Sequence, residues 1–143
     1  MKAFTVYQPY AYAIVAGLKG YETRPRRTNI RGRVAVLAGK QKITLDSMRV
    51  VLVPREGQKL HYGAVLGTAE IVDCLPVEEV IPTLTERERA LGDYSPGRWA
   101  WVLKNPVMFD TPIPASGKQG WWNWDDPVRI YTTLTEGTGV KLE

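Results

Sequence analysis

The chain has 143 residues, which fits one domain built around a single core. Apolar residues make up 44% and charged residues 24%, as in an ordinary globular protein, and this argues against a disordered, coiled-coil or membrane-spanning chain. The net charge of +4 is uneven, because residues 1–60 contain 12 Lys/Arg against three Asp/Glu and the remainder contains seven against 12. Positive charge is therefore concentrated in the first half.

The cysteine and histidine content limits the chemistry available. A single cysteine, Cys74, excludes an internal disulfide, and with a single histidine, His61, the chain lacks the Cys/His clusters that hold zinc. We therefore expect no metal and no other cofactor. No apolar run approaches the roughly 18 uncharged residues of a membrane span, and the N-terminus lacks a signal-peptide pattern. These features predict a cytoplasmic protein that does not engage a membrane.

The first predicted elements are a strand and a short helix. Residues 3–7 are strand-like, and Pro9 is suited to a first helical position. One apolar stripe at helical spacing follows, formed by Ala11, Ile14, Val15 and Leu18. Residues 21–24 are predicted to be extended. Alternation would then bring Glu22 and Arg24 to one face of that strand, about 6 to 7 Å apart.

The middle of the chain is rich in strand-forming residues. Residues 34–38 are continuously apolar, and residues 63–75 form a long β-prone stretch that Gly67 interrupts, as a bulge or barrel bend would. Both stretches suit a closed sheet. Residues 44–53 carry signals for both helix and strand, and we leave them unassigned.

A second helix and further strands are predicted after residue 84. Thr85 and Glu88 form a capping-box pattern, and Gly92 supplies a stop. Residues 98–104 alternate as a half-buried strand does. Four prolines follow, and they predict edge strands and loops rather than central strands; they are Pro106, Pro112, Pro114 and Pro127.

The densest cluster of charge lies between residues 19 and 33. It holds one acid, Glu22, and six cations, namely Lys19, Arg24, Arg26, Arg27, Arg31 and Arg33. Such density is self-repulsive unless a polyanion or the protein's own carboxylates neutralise it, and phosphate backbones are common biological polyanions. The alternative is a solvated basic face paired with the acidic second half of the chain.

The same region resembles a known family. The pattern Gly17-x-Lys19-x-x-Glu22-x-Arg24 is similar to the GxKxxExR signature of ASCH domains, which are related to PUA RNA-binding domains. Further matches follow in order at residues 27–32, 38–40, 92–99 and 120–124. The resemblance implies an α+β, mainly β fold: a PUA-like β-barrel with two or more short flanking helices, a cleft, and a role in RNA metabolism.

The resemblance and the charge pattern together define the expected domain and its ligand. We expect an ASCH domain over residues 1–131 and a polar C-terminal tail over residues 132–143. We expect a basic cleft that binds RNA, single-stranded DNA or a nucleoside-like molecule. The predicted ligand-binding residues are Lys19, Glu22, Arg24, Arg26, Arg27, Lys40 and Arg98.

The signature residues have distinct chemical roles. Arg24 can grip a phosphate with its planar fork and Lys19 can contact one as a point charge, while Glu22 would orient both cations or accept a hydrogen bond from a base. The structural alternative is an ion pair that only fixes the turn. The chain has Arg26 and Ile30 where many ASCH sequences carry aromatic residues, which favours phosphate contact over base-specific recognition.

An enzymatic function is an open alternative to binding. Some ASCH proteins resemble amidohydrolases acting on N4-acetylcytidine, with a nucleophilic threonine at the position of Glu22, and others are nucleases. Thr23 follows, but alternation would turn its hydroxyl to the opposite face. If the chain is an enzyme, Lys19 and Glu22 are the catalytic candidates, with Glu22 as general base. Covalent catalysis by Cys74 is disfavoured, because its β-rich surroundings are typical of a buried apolar residue.

The tryptophans support a third alternative. Trp99 and Trp101 alternate with smaller residues and are typical of a barrel core. The C-terminal Trp-rich segment at residues 121–124 could instead form a protein-interaction surface, since tryptophan is common at interface hot spots.

Overall fold

The computed structural model describes residues 1–42 and 59–126. Within these ranges six strands form one sheet, in the spatial order β2-β5-β4-β3-β1-β6. The strands are β1 (Lys2–Val6), β2 (Tyr21–Arg24), β3 (Gly32–Ala38), β4 (Ala64–Pro76), β5 (Trp99–Pro114) and β6 (Trp122–Asn123). The helices are α1 (Tyr10–Val15), α2 (Val77–Val80), a 3-10 helix (Ile81–Thr83) and α3 (Glu86–Ala90). The mainly β fold with short helices is as predicted.

The strands are antiparallel to their neighbours except for one pair. β1 and β3 run parallel, and the helix α1 and the strand β2 lie between them in the chain. Within the described ranges β2 and β6 are the two ends of the sheet and do not pair with each other. The long strands β4 and β5 contain several register shifts, which allow a sheet to bend. The sheet is therefore barrel-like but open.

Helix α1 covers one face of the sheet. It begins at Tyr10, one residue later than the sequence predicted, so that Pro9 occupies the capping position. Its predicted stripe is buried through Ala11, Ile14 and Val15. These side chains pack against apolar residues from four strands, and the main cluster includes Phe4, Val34, Val36, Leu66, Ile71, Trp101 and Leu103. This layer of helix on sheet is the core of the domain.

Gly67 lies in β4, close to the backbone of β5. The β3–β4 and β4–β5 registers both shift beside it, as the sequence predicted for a bulge. A side chain at this position would collide with the carbonyl oxygen of Val107 on β5. Glycine is needed here because it alone leaves room for the neighbouring backbone.

β5 is longer than the predicted strand at residues 98–104. It continues through Pro106 and Pro112 to Pro114. Only residues 99–102 pair with β2; beyond them, in the described ranges, β5 pairs with β4 alone. The prolines therefore lie in the half of β5 that has one neighbour, where a missing N–H is tolerated. The edge position was predicted correctly, and the length of the strand was not.

Several predictions concern residues outside the described ranges. These are the unassigned segment at residues 44–53, Pro127, and the predicted tail at residues 132–143. In the part of the chain that is described, no helix has the length and apolar character required to cross a membrane.

Candidate nucleic-acid interface

An open cleft of about 900 Å³ is lined by residues of β1 and β2 and of two loops. Four segments surround it: the end of β1 with the residues that follow it, the segment from Lys19 through β2, the turn after α3, and residues 117–120. Its charged lining consists of Lys19, Glu22, Arg24, Asp93, Arg98 and Lys118. Four cations thus share one cleft with two carboxylates.

Glu22 is the centre of the charged group. Its side chain is nearly buried, and Oε1 lies 3.5 Å from the Nζ atom of Lys19. Oε2 accepts hydrogen bonds from Arg24 Nε at 3.0 Å and from its terminal nitrogen at 2.9 Å. The Lys19 ammonium also donates to the carbonyl of Tyr21. The predicted convergence of these three signature residues is therefore present, and a single carboxylate holds both cations.

Arg24 has further partners that fix its orientation. One terminal nitrogen donates to the carbonyl oxygen of Thr5 at 2.8 Å, which ties β2 to β1. The guanidinium lies 5.7 Å from the ring centre of Phe4 and 5.4 Å from that of Trp101, within cation–π range. Trp101 in turn stacks on Trp121 at 5.1 Å. Arg24 is thus held in place, and the aromatic residues around it belong mainly to the core.

The turn after α3 contributes the second charged pair. Arg98 donates to the carbonyl oxygen of Thr23 at 3.0 Å, and its Nε lies 3.6 Å from Asp93 Oδ2. Hydrogen bonds from the side chain and then the backbone of Ser95, and the charge of Arg98, hold the pKa of Asp93 below its ordinary value. Asp93 is therefore ionised at neutral pH and faces the cleft as an anion.

Helix α3 is hydrogen-bonded to the turn that precedes β2. The Thr85 hydroxyl accepts a hydrogen bond from the Glu88 N–H at 3.1 Å, as the predicted capping box requires. The Glu88 carboxylate accepts from the backbone N–H of Gly20, immediately beside Lys19. Burial, followed by the negative charge of Glu88, raises the pKa of the nearby Tyr94. The capping sequence therefore anchors the turn that presents Lys19.

The predicted site residues divide into two groups. Four line the cleft, namely Lys19, Glu22, Arg24 and Arg98. The other three, Arg26, Arg27 and Lys40, are exposed and lie outside its lining. Arg27 lies over the ring of Trp99 at 5.4 Å, and the Lys40 ammonium is 3.4 Å from the Ser116 hydroxyl.

Two further cations of the basic stretch pair with acids of the second half. Arg33 contacts Glu70 at 3.0 Å, and Arg31 lies 3.9 Å from Asp73. For these two residues the alternative interpretation of a paired, solvated face is the correct one. The charge available to a ligand is therefore smaller than the sequence count implied.

Several lining residues were not predicted as site residues. Tyr7 and Tyr10 flank Gln8 and Pro9, and Lys118 with Gln119 occupies a short segment between Gly117 and Gly120. Nothing local in the sequence indicated that this segment lines the same cleft as Lys19. Across residues 1–42 and 59–126, no three His, Cys, Asp or Glu side chains are grouped so as to hold a metal ion.

Comparison with known proteins agrees with the sequence resemblance. The pattern of the ASCH domain family matches residues 4–113. The chain belongs to the ASCH domain family. The match ends before the loop at residues 117–120, so that part of the cleft lies beyond it.

Solved structures and curated proteins include similar chains. An ASCH protein from Zymomonas mobilis superposes with a TM-score of 0.55 at 15% identity, covering 94% of this chain and 93% of the other. A mutant form of that protein gives a TM-score of 0.55 at 17% identity, covering 94% and 96%. These likenesses concern the fold.

Activating signal cointegrator 1 from Homo sapiens is 23% identical over 133 residues, which is 87% of this chain and 22% of that protein. The Mus musculus protein is 24% identical over the same shares. The chain thus spans about a fifth of the length of these curated relatives.

Proposed function

We propose that this ASCH domain binds nucleic acid, above all RNA, in the cleft between β1, β2 and the turn after α3. The observation that carries the proposal is the excess of cations over carboxylates around one open cleft of about 900 Å³. A cleft with a net positive charge attracts anions, and phosphate backbones are common biological polyanions. Single-stranded DNA presents the same phosphate groups, whereas a nucleoside-like molecule shares only the base and the sugar.

The cleft residues and the outer cations have different roles in this proposal. Glu22 holds Lys19 and Arg24 in a fixed geometry, so that they orient a ligand by hydrogen bonding. Arg26 and Arg27 have no carboxylate partner within the described ranges, and they extend the positive surface beyond the cleft together with Lys40. We assign the activity to the cytoplasm, which the free, buried thiol of Cys74 supports.

The test removes the charged centre of the cleft without leaving an unpaired buried charge. The variant Lys19→Met, Glu22→Gln, Arg24→Met replaces two cations and one acid by neutral side chains of similar size. We expect its affinity for a fluorescein-labelled RNA oligonucleotide to fall at least tenfold, measured by anisotropy over a salt series. A shallower dependence of affinity on salt should accompany the loss, because fewer counterions are released.

The matched control uses residues of β3, β4 and β5 that lie outside the cleft lining. Arg33→Met, Glu70→Gln, Lys104→Met also removes two cations and one acid, at a surface ion pair outside the cleft. Thermal unfolding establishes that both variants fold. Equal loss of affinity in the two triple variants would reject the cleft as the binding site. If the parent protein does not bind RNA, the proposed function is rejected. If it instead binds a partner protein with an affinity that does not change with salt concentration, the alternative of a protein-interaction module is favoured.

Hydrolysis of a modified nucleoside is the second candidate function. It is favoured by one observation, the approach of the Lys19 ammonium to within 3.5 Å of a Glu22 oxygen inside the cleft. Such a pair could combine a base for water with a cation for the developing oxyanion. Incubation with N4-acetylcytidine without added metal, followed by chromatography for cytidine and acetate, tests this. Product that disappears in Glu22→Gln would establish the hydrolase.

A further inference from the structure

One rim of the cleft carries an exposed aromatic ring and an unpaired cation. Tyr7 is 62% exposed and belongs to the cleft lining. Lys118 is exposed as well, and its ammonium has no carboxylate partner among the residues described. By contrast, Lys19, Arg24 and Arg98 each have a carboxylate within 4 Å. Of the four cations that line the cleft, Lys118 is therefore the one without a carboxylate partner among the described residues.

The Tyr7 ring is supported from one side by backbone. A side chain built at Gly39 would lie 3.2 Å from a ring carbon of Tyr7 and 3.6 Å from the methyl group of Thr5. The ring thus lies against Gly39 with no side chain between them. Contact with this backbone restricts the ring before a ligand arrives, so less side-chain freedom is lost when a base stacks on it.

Thr5 connects the aromatic ring to the cation. Thr5 and Tyr7 both lie against Gly39, so they share one side of the chain, at a spacing of about 6 to 7 Å. The loop at residues 117–120 rests on Thr5: a side chain at Gly117 would collide with its hydroxyl, which approaches the Lys118 carbonyl at 3.5 Å. Tyr7 and the backbone of Lys118 therefore both lie beside Thr5, and both residues line the same cleft.

We infer that this rim binds an unpaired nucleotide of a single strand, with its base stacked on Tyr7 and an adjacent phosphate bound by Lys118. The inference rests on the proposed function and names the class of nucleic acid. A base inside a duplex has both faces covered by its neighbours, whereas a base in a single strand can turn a face to an aromatic side chain. Lys118 lies beyond residues 4–113, so the family pattern does not assign it.

The first test compares single and double strands. Anisotropy is measured with one labelled RNA oligonucleotide, alone and annealed to its complement, and with the single-stranded DNA of the same sequence. We expect the single strands to bind more tightly than the duplex. Tyr7→Ala should weaken single-strand binding about tenfold, as expected for the loss of one base stack, and Tyr7→Phe should bind like the parent. Tyr62→Ala is the control, because Tyr62 lies outside the cleft lining.

The second test measures the contribution of Lys118 to phosphate contact. In Lys118→Ala the slope of log affinity against log salt should fall by about 0.7, the value for one phosphate contact on a single strand. Lys104→Ala removes an exposed lysine outside the cleft and should leave the slope unchanged. Both substitutions are on the surface, so thermal unfolding should stay close to that of the parent.

The outcomes of these tests distinguish a failure of this inference from a failure of the proposed function. If the parent protein binds none of the oligonucleotides, the proposed function itself fails. If it binds them but Tyr7→Ala and Lys118→Ala behave like their controls, the rim is not the contact surface, while nucleic-acid binding by the protein stands. Duplex affinity equal to that of the single strand would also overturn the inference.

Discussion

Glu22 fixes the positions of the two cations that it pairs with in the cleft. The sequence correctly suggested that Lys19, Glu22 and Arg24 converge, because the signature spacing and strand alternation are local properties. It also suggested that Glu22 would orient both cations, but it did not indicate how deeply Lys19 is buried, at only 3% exposed. Charge density along a sequence does not reveal which cations pair with acids, and Arg31 and Arg33 were counted although distant acids pair with them.

The first prediction concerns the stability of this group. Glu22→Ala should lower the free energy of unfolding by about 3 to 5 kcal/mol, because it leaves the buried Lys19 ammonium without its anionic partner. Urea denaturation followed by tryptophan fluorescence measures the change. Glu70→Ala, at an ion pair whose side chains are about one-third exposed, should cost less than about 1 kcal/mol. If Glu22→Ala lowers the free energy of unfolding as little as Glu70→Ala does, Glu22 does not stabilise the fold.

The second prediction concerns the pKa of Asp93. Hydrogen bonds from Ser95 lower this pKa, so the ionised carboxylate stabilises the folded state above its ordinary pKa, and that contribution disappears as pH falls through the lowered value. In Ser95→Ala the pKa should rise toward its ordinary value, as a carboxyl-carbon NMR titration would report. The pKa of Glu78, which is lowered chiefly by the N–H of Gly97, is the internal control and should stay unchanged. An unchanged Asp93 titration would contradict the assignment.

At the scale of elements, helix α3 links a local sequence signal to the site. The capping box was visible because Thr85 and Glu88 are three residues apart, and the threonine caps the helix as predicted. The carboxylate of Glu88, however, bonds Gly20, which is 68 residues away in the chain. Local spacing identified the helix, but tertiary packing determined where its carboxylate binds.

The third prediction tests this link. Glu88→Ala should lower the free energy of unfolding by about 1.5 to 3 kcal/mol, the range for a hydrogen bond to a charged group. It should also weaken RNA binding, because the turn that presents Lys19 loses its anchor. Glu86→Ala changes an exposed residue of the same helix and should have the smaller effect on both measurements. Chemical denaturation and anisotropy on the same preparations compare the two variants.

At the scale of the whole molecule, the fold was more predictable than the cleft. Strand periodicity and the signature identified a mainly β ASCH domain, because burial of alternate residues leaves a regular trace in the sequence. The cleft also needs Tyr7, Asp93 and Lys118, which come from three distant segments. Their proximity depends on sheet order and on loop contacts such as that of Gly117 with Thr5, and no local pattern encodes these.

The most direct test of the account locates the bound strand on the protein. Backbone amide spectra of isotope-labelled protein are recorded as single-stranded RNA is added, with glycine amides as reporters. We predict the largest shifts at the cleft glycines Gly92, Gly117 and Gly120, and small shifts at Gly32 and Gly67, which lie outside the cleft lining. Saturating RNA that leaves the cleft glycines unmoved, or shifts centred on Gly32 and Gly67, would contradict this prediction.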